Sequence, residues 1–273
     1  MNFNLSNNVG LITGGAGLLG QEHALALLES NASVVVTDVS LQALELTKEK
    51  LKSIFPNSEI LIFELDVTDE CSVLNLIRKL REQNVFVDIL INNAALDPKV
   101  NANSSTINSS RLENFSIDQW NKEISVGLTG TMICSKNFGY EMAKKGKGVI
   151  LNIASDLSVI SPDQRLYHEV GKKDDEQSVK PITYSAIKSG IIGITKYLAT
   201  YWASSGVRCN ALSPGGVFND QNTEFVNRLT KLIPLGRMAD SSEYHGAVQF
   251  LCSDASRYMN GQNIIMDGGR SVW

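Results

Sequence analysis

The chain has 273 residues, of which 43% are hydrophobic and 20% are charged, and its formal net charge is −4. This composition is ordinary for a globular domain whose core needs no disulfide or metal support. The slightly acidic balance argues against general nucleic-acid binding, which usually requires a basic face. The four cysteines are far apart and form no C-x-x-C pair, so we expect neither a disulfide framework nor a metal site.

The N-terminus, MNFNLSNNVG, lacks the basic and apolar regions of a signal peptide. No apolar run approaches the ~18–20 residues that a membrane helix needs. We therefore expect a cytoplasmic protein with reduced cysteines and no membrane partner. No proline-rich, glycine/serine-rich or single-charge tract marks a boundary, so one domain spanning residues 1–273 is favoured.

Apolar strands alternate with helical patterns along the chain. The predicted strands cover residues 9–13, 34–38, 60–66, 85–91, 149–154, 207–212 and 263–266. Helical spacing covers about 18–30, 41–55, 71–83, 117–145 and 182–204. Apolar strands alternating with helices predict an α/β fold, a single-domain Rossmann architecture. Its doubly wound parallel sheet would have about seven strands, with helices on both faces.

A glycine turn, TGGAGLLG, joins the first predicted strand to the first helix. Its Gly15-x-Gly17-x-x-Gly20 spacing is weak evidence alone, but it stands in the strand–turn–helix context of a dinucleotide site. Such glycines let the backbone approach a pyrophosphate at the helix N-terminus. Asp38 ends the second strand 18 residues after Gly20, where a carboxylate can bind a ribose diol and repel the 2′-phosphate of NADP. NAD is therefore the expected cofactor and NADP the less favoured one. The alternative role for Asp38 is a helix cap.

Seven short motifs are spread over nearly the whole chain. They are TGGAGLLG at 13–20, DV at 66–67, NNAA at 92–95, NIAS at 152–155, YSAIK at 184–188, SPGG at 213–216 and DGG at 267–269. Tyr-x-x-x-Lys alone would be common by chance, but all seven in this order resemble the short-chain dehydrogenase/reductase family. The glycine turn, VGLTG and the DGGRSVW ending also resemble the flagellin-modification protein A-like branch, sugar dehydrogenases of nonulosonic-acid gene clusters.

The resemblance implies that Ser155, Tyr184 and Lys188 are catalytic. Tyr184 would take the proton of a substrate alcohol while hydride passes to nicotinamide, or the reverse. Ser155 would hydrogen-bond the substrate oxygen, and Lys188 would hold the nicotinamide ribose. Tyr184 and Lys188 lie one helical turn apart, so they share a face. Lowering a tyrosine pKa from near 10 to about 7 takes roughly 4 kcal/mol, which an ammonium group and an oxidised nicotinamide can supply.

The same resemblance implies a set of cofactor contacts. They are Gly14, Gly17, Leu18, Leu19, Asp38, Asp66, Val67, Asn93, Ala94, Ala95, Tyr184, Lys188, Pro214, Gly215, Gly216 and Val217. Two rivals for the catalytic residues are less favoured. Ser158 lies a turn beyond the strand that ends near Ser155, and Tyr167 has Gly171 where a lysine would be required.

Two positions depart from the family pattern. Leu18 stands where glycine is usual, so the turn resembles that of extended, sugar-nucleotide members, although the chain is too short for their substrate domain. Gly127 replaces the asparagine that normally holds a proton-relay water, so a second water or a substrate hydroxyl would have to complete the relay. This departure keeps open an alternative of another class, a non-catalytic nucleotide-sensing protein.

Two polar segments are longer than the scaffold requires, residues 96–114 and 161–181. The second has nine charged residues among its 21 and separates Ser155 from Tyr184 by 29 positions. Both leave the carboxyl side of the sheet, and their hydrogen-bonding content suits a polyhydroxylated ligand. Residues 216–236 correspond to the family's mobile substrate lid.

We therefore expect an NAD-dependent oxidoreductase that acts on a secondary alcohol or ketone of a sugar or sugar derivative. Phosphorylated and nucleotide-linked sugars of surface-glycan or flagellin-glycan biosynthesis are included. The alternative enzyme is an NADP-linked 3-oxoacyl or general carbonyl reductase. Related enzymes pair their long helices in dimers and complete tetramers with the C-terminus, so the resemblance implies a homotetramer or homodimer.

Overall fold

The computed structural model describes residues 3–96 and 110–273. Seven parallel strands form one sheet in the order β3-β2-β1-β4-β5-β6-β7. The strands are β1 (Val9–Thr13), β2 (Ser33–Asp38), β3 (Ile60–Glu64), β4 (Ile89–Asn92), β5 (Gly148–Ile153), β6 (Val207–Pro214) and β7 (Asn263–Met266). The predicted α/β fold with a seven-stranded parallel sheet is confirmed.

Eight α-helices occur within the described residues. They are α1 (Leu18–Glu29), α2 (Leu41–Ile54), α3 (Glu70–Glu82), α4 (Ile117–Ile124), α5 (Gly130–Lys145), α6 (Ile182–Tyr201), α7 (Thr223–Thr230) and α8 (His245–Cys252). None of the helices in the described ranges is long and apolar enough to cross a membrane.

Side-chain alternation along the strands divides the core between the two faces of the sheet. Ile12 packs in one cluster with residues of α1, α2 and α8, whereas its neighbour Leu11 packs in the other with residues of α3, α5 and α6. Both side chains are fully buried. Because successive residues of a strand point to opposite faces, a sheet covered on both sides requires the nearly continuous apolar strands seen in the sequence.

The strand order reverses at β1, which pairs with β2 on one side and with β4 on the other. In doubly wound sheets, ligands bind outside the carboxyl ends of the strands at such a reversal. The glycine turn and the residues after β4 both lie at this point of the sheet. The fold therefore places the predicted cofactor motifs together.

Most predicted boundaries agree with the structure to within three residues, and two elements differ more. The fourth strand begins at Ile89 rather than at residue 85, because the amide of Val85 donates to Leu80 O at 2.8 Å and closes the end of α3. The long helical pattern over 117–145 is interrupted by a π-helical turn at Ser125–Thr129, which separates α4 from α5. Most of the predicted insertion 96–114 falls on residues 97–109, outside the described residues.

Candidate active site

The glycine turn between β1 and α1 is tightly packed. Gly14 has a φ of +60°, and a Cβ there would lie 2.8 Å from Ala94 Cα. A Cβ on Gly20 would lie 2.3 Å from Gly14 O. Both positions therefore require glycine, the first for its left-handed conformation and the second for close approach of the backbone.

The N-terminus of α1 is open to an anionic ligand. Gly17 is the N-cap residue, and no side chain within the described ranges caps this helix. The amides of the first turn, which includes Leu18 and Leu19, can therefore serve a pyrophosphate. Leu18 is itself the first helical residue, with a 42% exposed side chain, so its right-handed backbone does not require the family's glycine.

Asp38 lies at the carboxyl end of β2, beside the glycine turn. Its Oδ2 accepts a hydrogen bond from Ala16 N at 3.3 Å, and its Oδ1 accepts one from Ser40 N at 3.3 Å. The helix-cap alternative for Asp38 was wrong, because Ser40 Oγ caps α2 by accepting from Ala43 N at 3.3 Å. The carboxylate therefore lies where the glycine turn and the second strand meet.

The NNAA motif is fixed to the glycine turn through Thr13. Thr13 Oγ1 accepts from Asn93 N at 3.0 Å and from Ala94 N at 3.1 Å. In return, Asn93 Nδ2 donates to Gly14 O at 2.9 Å and to Thr13 O at 3.1 Å. The segment that includes Ala95 thus leaves β4 directly beside the turn.

Asp66 and Val67 lie just after β3. The Asp66 carboxylate is exposed, and its Oδ1 accepts from Thr68 N at 2.8 Å and from Thr68 Oγ1 at 2.7 Å. Val67 is buried, and a Cβ on Gly130 of α5 would lie 2.7 Å from Val67 Cγ2. The pair therefore lines the same edge of the sheet, one strand beyond Asp38.

Pro214, Gly215, Gly216 and Val217 leave the carboxyl end of β6. Gly215 N donates to Met266 O at 2.8 Å, and Ala239 N donates to Gly216 O at 2.9 Å. A Cβ on Gly215 would lie 2.6 Å from Asp267 Cα. The segment is therefore held tightly at the edge where the other predicted cofactor residues lie.

Ser155 lies two residues beyond the end of β5 and is buried. Its hydroxyl donates to Asp156 Oδ1 at 2.9 Å and accepts from Leu157 N at 3.2 Å. Asp156 Oδ2 in turn accepts from Arg270 Nη1 at 2.8 Å, and both side chains of this ion pair are buried. The orientation of the Ser155 hydroxyl therefore depends on a charged pair formed with the C-terminal segment.

Tyr184 and Lys188 lie on the first turns of α6. Lys188 Nζ donates to Ile153 O, the last residue of β5, at 2.8 Å and lies 5.8 Å from the centroid of the Tyr184 ring. The Lys188 side chain is buried. This bond ties α6 to the strand that positions Ser155, so all three predicted catalytic residues lie at one end of β5.

The rival residues have other contacts. Ser158 Oγ lies 3.1 Å from Ser213 Oγ, which donates to Asn263 Oδ1 at 2.7 Å. The Tyr167 ring packs against Phe225, with 5.5 Å between centroids.

Gly127 lies within the π-helical turn, next to α6. A Cβ at this position would lie 2.7 Å from Ile187 Cγ2. An asparagine, which the family pattern would place here, does not fit unless Ile187 moves. The departure from the family pattern is therefore built into the packing of the two helices.

Residues 161–181 and the predicted lid pack against each other. Leu166 is buried in an apolar cluster with Leu229, Ile233 and Met238, and Tyr167 and Phe225 lie against it; we call these residues the outer cluster. Arg228 Nη1 donates to Leu166 O at 3.2 Å. On its other side the segment meets the end of the first insertion, since Arg111 Nη1 donates to Asp174 O at 2.7 Å.

Two groups of residues near the site were missed from the sequence. Lys180 Nζ lies 3.7 Å from the centroid of the Tyr184 ring. Its spacing, four residues before the tyrosine, mirrors that of Lys188 and was a usable signal. The Asp156–Arg270 pair is the other group; its partners are 114 positions apart, and only their places beside the NIAS and DGG motifs hinted at it.

Comparison with known proteins identifies the family. The family model described as Enoyl-(Acyl carrier protein) reductase matches residues 15–271. The 2-dehydro-3-deoxy-D-gluconate 5-dehydrogenase of Bacillus subtilis is 30% identical over 276 residues, which cover 98% of this chain and 96% of that protein. The D-threitol dehydrogenase of Mycolicibacterium smegmatis is 28% identical over 275 residues (99% and 95%). The 3-oxoacyl-(acyl-carrier-protein) reductase of Synechocystis is 30% identical over 270 residues (97% of each).

Solved structures share the whole fold. The gluconate 5-dehydrogenase from Burkholderia cenocepacia in complex with NADP and tartrate has a TM-score of 0.83 and 26% identity, covering 100% of this chain and 98% of that one. The short chain dehydrogenase from Leptospira borgpetersenii with bound NAD+ has a TM-score of 0.82 and 31% identity, covering 98% and 94%. With the motifs and the sheet described above, these matches show that the chain belongs to the short-chain dehydrogenase/reductase family of nicotinamide-dependent oxidoreductases.

Proposed function

We propose that the protein is an NAD-dependent dehydrogenase that acts on a secondary alcohol of a sugar or sugar derivative, or reduces the corresponding ketone. The observation that carries the proposal is the convergence of Ser155, Tyr184 and Lys188 at the carboxyl end of β5. There Lys188 Nζ is fixed to Ile153 O at 2.8 Å and lies 5.8 Å from the Tyr184 ring centroid. The strand reversal at β1/β4 supports a cofactor cradle beside these residues.

The residues at this cradle fit a dinucleotide. Gly14 and Gly20 leave no room for side chains within the turn, and the first turn of α1 presents its amides without a side-chain cap from the described residues. When bound, the nicotinamide accepts or supplies the hydride. Tyr184 then accepts the hydroxyl proton of the alcohol, Ser155 hydrogen-bonds the substrate oxygen, and Lys188 keeps a positive charge near the phenol.

The preference for NAD rests on Asp38. Its carboxylate accepts from Ala16 N at 3.3 Å, which holds it at the edge of the turn, where the ribose 2′ position would lie. A carboxylate there repels a 2′-phosphate. The solved relatives are described with NADP in one case and with NAD+ in another, so the family alone does not decide the cofactor.

A polyhydroxylated substrate is supported by two observations. Relatives are named for D-threitol and for 2-dehydro-3-deoxy-D-gluconate, both small polar carbon chains. Residues 161–181, which supply nine charged residues, pack beside the predicted lid on the site's side of the sheet. A role in surface-glycan or flagellin-glycan biosynthesis, as in the flagellin-modification protein A-like branch, is the narrower form of the same proposal.

The four free cysteines support a cytoplasmic location.

The NADP-linked 3-oxoacyl or carbonyl reductase is the second candidate, and the Synechocystis relative at 30% identity favours it. Asp38 and the polar insertions count against it. The non-catalytic nucleotide sensor is opposed by the complete set of Ser155, Tyr184 and Lys188. Its remaining support is Gly127.

Turnover separates these candidates. NAD and NADP would each be tested with D-threitol, glycerol, and phosphorylated and nucleotide-linked hexoses, and in the reductive direction with a 3-oxoacyl thioester. We expect NAD-linked oxidation of at least one polyol or sugar and its loss in Tyr184→Phe. Preferred NADP-linked reduction of the thioester would support the second candidate. If the wild type and Tyr184→Phe were both inactive on every substrate but still bound NAD, the nucleotide-sensor candidate would be supported.

We also propose that the protein assembles as a homotetramer or homodimer through α5 and α6. These helices line a groove of about 620 Å³ whose walls include Tyr140, Tyr197 and Tyr201. All three tyrosines are more than half exposed in the single chain, and exposed apolar patches of sufficient size mark protein–protein contacts. In sedimentation velocity we expect the wild type to be dimeric or larger and Tyr197→Glu to shift towards monomer. A wild-type monomer would refute the assembly.

A further inference from the structure

Tyr184 lies between two lysines, Lys180 four residues before it and Lys188 four residues after it. Lys188 Nζ lies 5.8 Å from the ring centroid and donates to a backbone carbonyl. Lys180 Nζ lies only 3.7 Å from the same centroid, over the face of the ring. Of the two lysines, Lys180, which precedes α6, therefore has its ammonium closer to the centre of the phenol ring.

The backbone of Lys180 is fixed on both sides. Lys180 N donates to Gln164 Oε1 at 2.8 Å, and Val179 N donates to Ser110 Oγ at 3.1 Å. Pro181, the N-cap residue of α6, follows with a φ of −59° set by its ring. Because the main chain is held, the lysine loses less conformational freedom when its ammonium settles over the ring.

We propose that Lys180 is a second cationic positioning residue of Tyr184, one that stabilises the phenolate and thereby sets the pH range in which the tyrosine takes the substrate proton. The inference rests on the proposed function of Tyr184 as the base. An ammonium over an aromatic face is attracted to the ring quadrupole even when the phenol is neutral. Ionisation adds a full negative charge to the same phenol, and an ammonium 3.7 Å from the ring centroid therefore favours the ionised form.

Other charged groups lie around the tyrosine and bear on its ionisation. Lys188 on α6 acts in the same direction as Lys180. The buried carboxylate of Glu123 on α4 accepts a hydrogen bond from Thr183, the neighbour of Tyr184, and opposes a phenolate. Asp156 and Arg270, beside Ser155, form an ion pair and largely offset one another. Since Lys180 is closer to the ring than Lys188, its removal is the informative change.

The inference gives residues 161–181 a second role. The segment that separates Ser155 from Tyr184 does more than add polar surface near the substrate, because its penultimate residue acts on the base itself. Lys180 is the charged residue of this segment whose ammonium lies over the Tyr184 ring.

The test is a direct titration of the Tyr184 phenol in the cofactor-free protein. Tyrosinate absorbance would be followed against pH, and the Tyr184→Phe curve subtracted to isolate one side chain. The same subtraction is made in a Lys180→Met background. We expect the Tyr184 midpoint to rise by about one pH unit in Lys180→Met and to stay near the wild-type value in Lys180→Arg. Lys173→Met, an exposed lysine of the same segment, is the matched control and should not move it.

An unchanged midpoint in Lys180→Met overturns the inference, whatever the enzyme's activity. Circular dichroism and NAD affinity check each variant's folding, and Lys180→Gln replaces the methionine variant if that does not fold. In an active enzyme the acid limb of the kcat/KM profile should move upward with the phenol midpoint. A shifted midpoint in a protein that oxidises no substrate would instead remove the proposed function and leave the contact between Lys180 and Tyr184 in place.

Discussion

Arg270 Nη1 lies 2.8 Å from Asp156 Oδ2, and both side chains of this pair are buried beside Ser155. Removing one member of a buried ion pair leaves an uncompensated charge and costs about 3–5 kcal/mol. We expect Arg270→Met to lose stability on that scale in urea titrations and Asp156→Asn/Arg270→Met to recover part of it. Arg257→Met, at an exposed arginine, is the control. Equal stability of Arg270→Met and wild type would contradict the buried pairing.

The buried His23 is expected to lower the stability of the folded protein in acid. Both ring nitrogens are buried without a hydrogen-bond partner among the described residues, and burial, aided by the charge of His245, lowers the pKa of His23 to about 3. An unfolded histidine titrates near pH 6.5, so as pH falls the unfolded state binds the proton first. The folding free energy contributed by neutral His23 is therefore complete above about pH 6.5 and is lost progressively towards pH 3.

His23→Leu should remove this component of the pH dependence. We expect it to lose less stability than wild type between neutral pH and about pH 4.5, as measured by urea unfolding at both values. At neutral pH it should be equally or more stable, since two unsatisfied buried nitrogens disappear. His168→Leu, at an exposed histidine, should keep the wild-type pH dependence. If the stability of His23→Leu fell with pH as steeply as that of the wild type, groups other than His23 would be responsible for the loss of stability in acid.

Asp38→Ala should relax discrimination against NADP. If Asp38 binds the ribose as proposed, removing the carboxylate takes away its repulsion of the 2′-phosphate and its hydrogen bonds to the ribose. The ratio of kcat/KM for NADP to that for NAD should then rise about tenfold, or ~1.4 kcal/mol. Steady-state kinetics with both cofactors measures it. Glu45→Ala, an exposed carboxylate on α2, should leave the ratio unchanged. No change in Asp38→Ala would mean that this carboxylate does not contact the ribose.

Gly127 can be tested with a double-mutant cycle. A Cβ at this position would lie 2.7 Å from Ile187 Cγ2, so Gly127→Asn should cost about 1–3 kcal/mol of stability. Ile187→Ala removes the clashing atom, and the double variant should therefore be more stable than the sum of the single changes. Gly246→Ala, whose new Cβ meets no described atom within 4 Å, should be tolerated. Strict additivity would show that Ile187 moves aside freely.

Weakening the outer cluster should reduce the affinity for substrate and leave the affinity for the cofactor nearly unchanged. Phe225→Ala removes the ring that packs against Tyr167 at 5.5 Å and loosens the lid from residues 161–181. KM for the alcohol substrate should rise about tenfold, equivalent to ~1.4 kcal/mol, while the Kd for NAD stays within about twofold. Phe86→Ala, at a half-exposed phenylalanine before β4, is the control. Parallel loss of both affinities would mean that the outer cluster supports the fold instead.

The fold was predictable because its signals are local. Apolar runs such as Ile89–Asn92 and the glycine turn carry their structure in neighbouring residues, and their order along the chain fixes a doubly wound sheet. The same holds for Tyr184 and Lys188, whose spacing places both on one face of a helix. The π-helical turn gave no such signal, and its close packing of Gly127 on Ile187 of α6 is a tertiary contact that local spacing does not show.

Residues that depend on tertiary contact could not be found in this way. Arg270 reaches Asp156 across 114 positions, and the outer cluster joins residues 161–181 to a helix beyond β6. The nine charges among residues 161–181 gave no sign of a buried side chain in this segment, yet Leu166 is buried. Lys180 is an intermediate case. Its spacing of four residues from Tyr184 is visible in the sequence, but the position of its ammonium over the face of the ring is not.

Because Leu166 and Tyr167 pack against α7, the lid cannot open alone; residues 161–181 must travel with it or the outer cluster must break. The segment proposed to recognise the substrate is therefore joined through the outer cluster to the segment proposed as the lid. We expect a substitution that changes substrate preference in either segment to change the rate of product release as well.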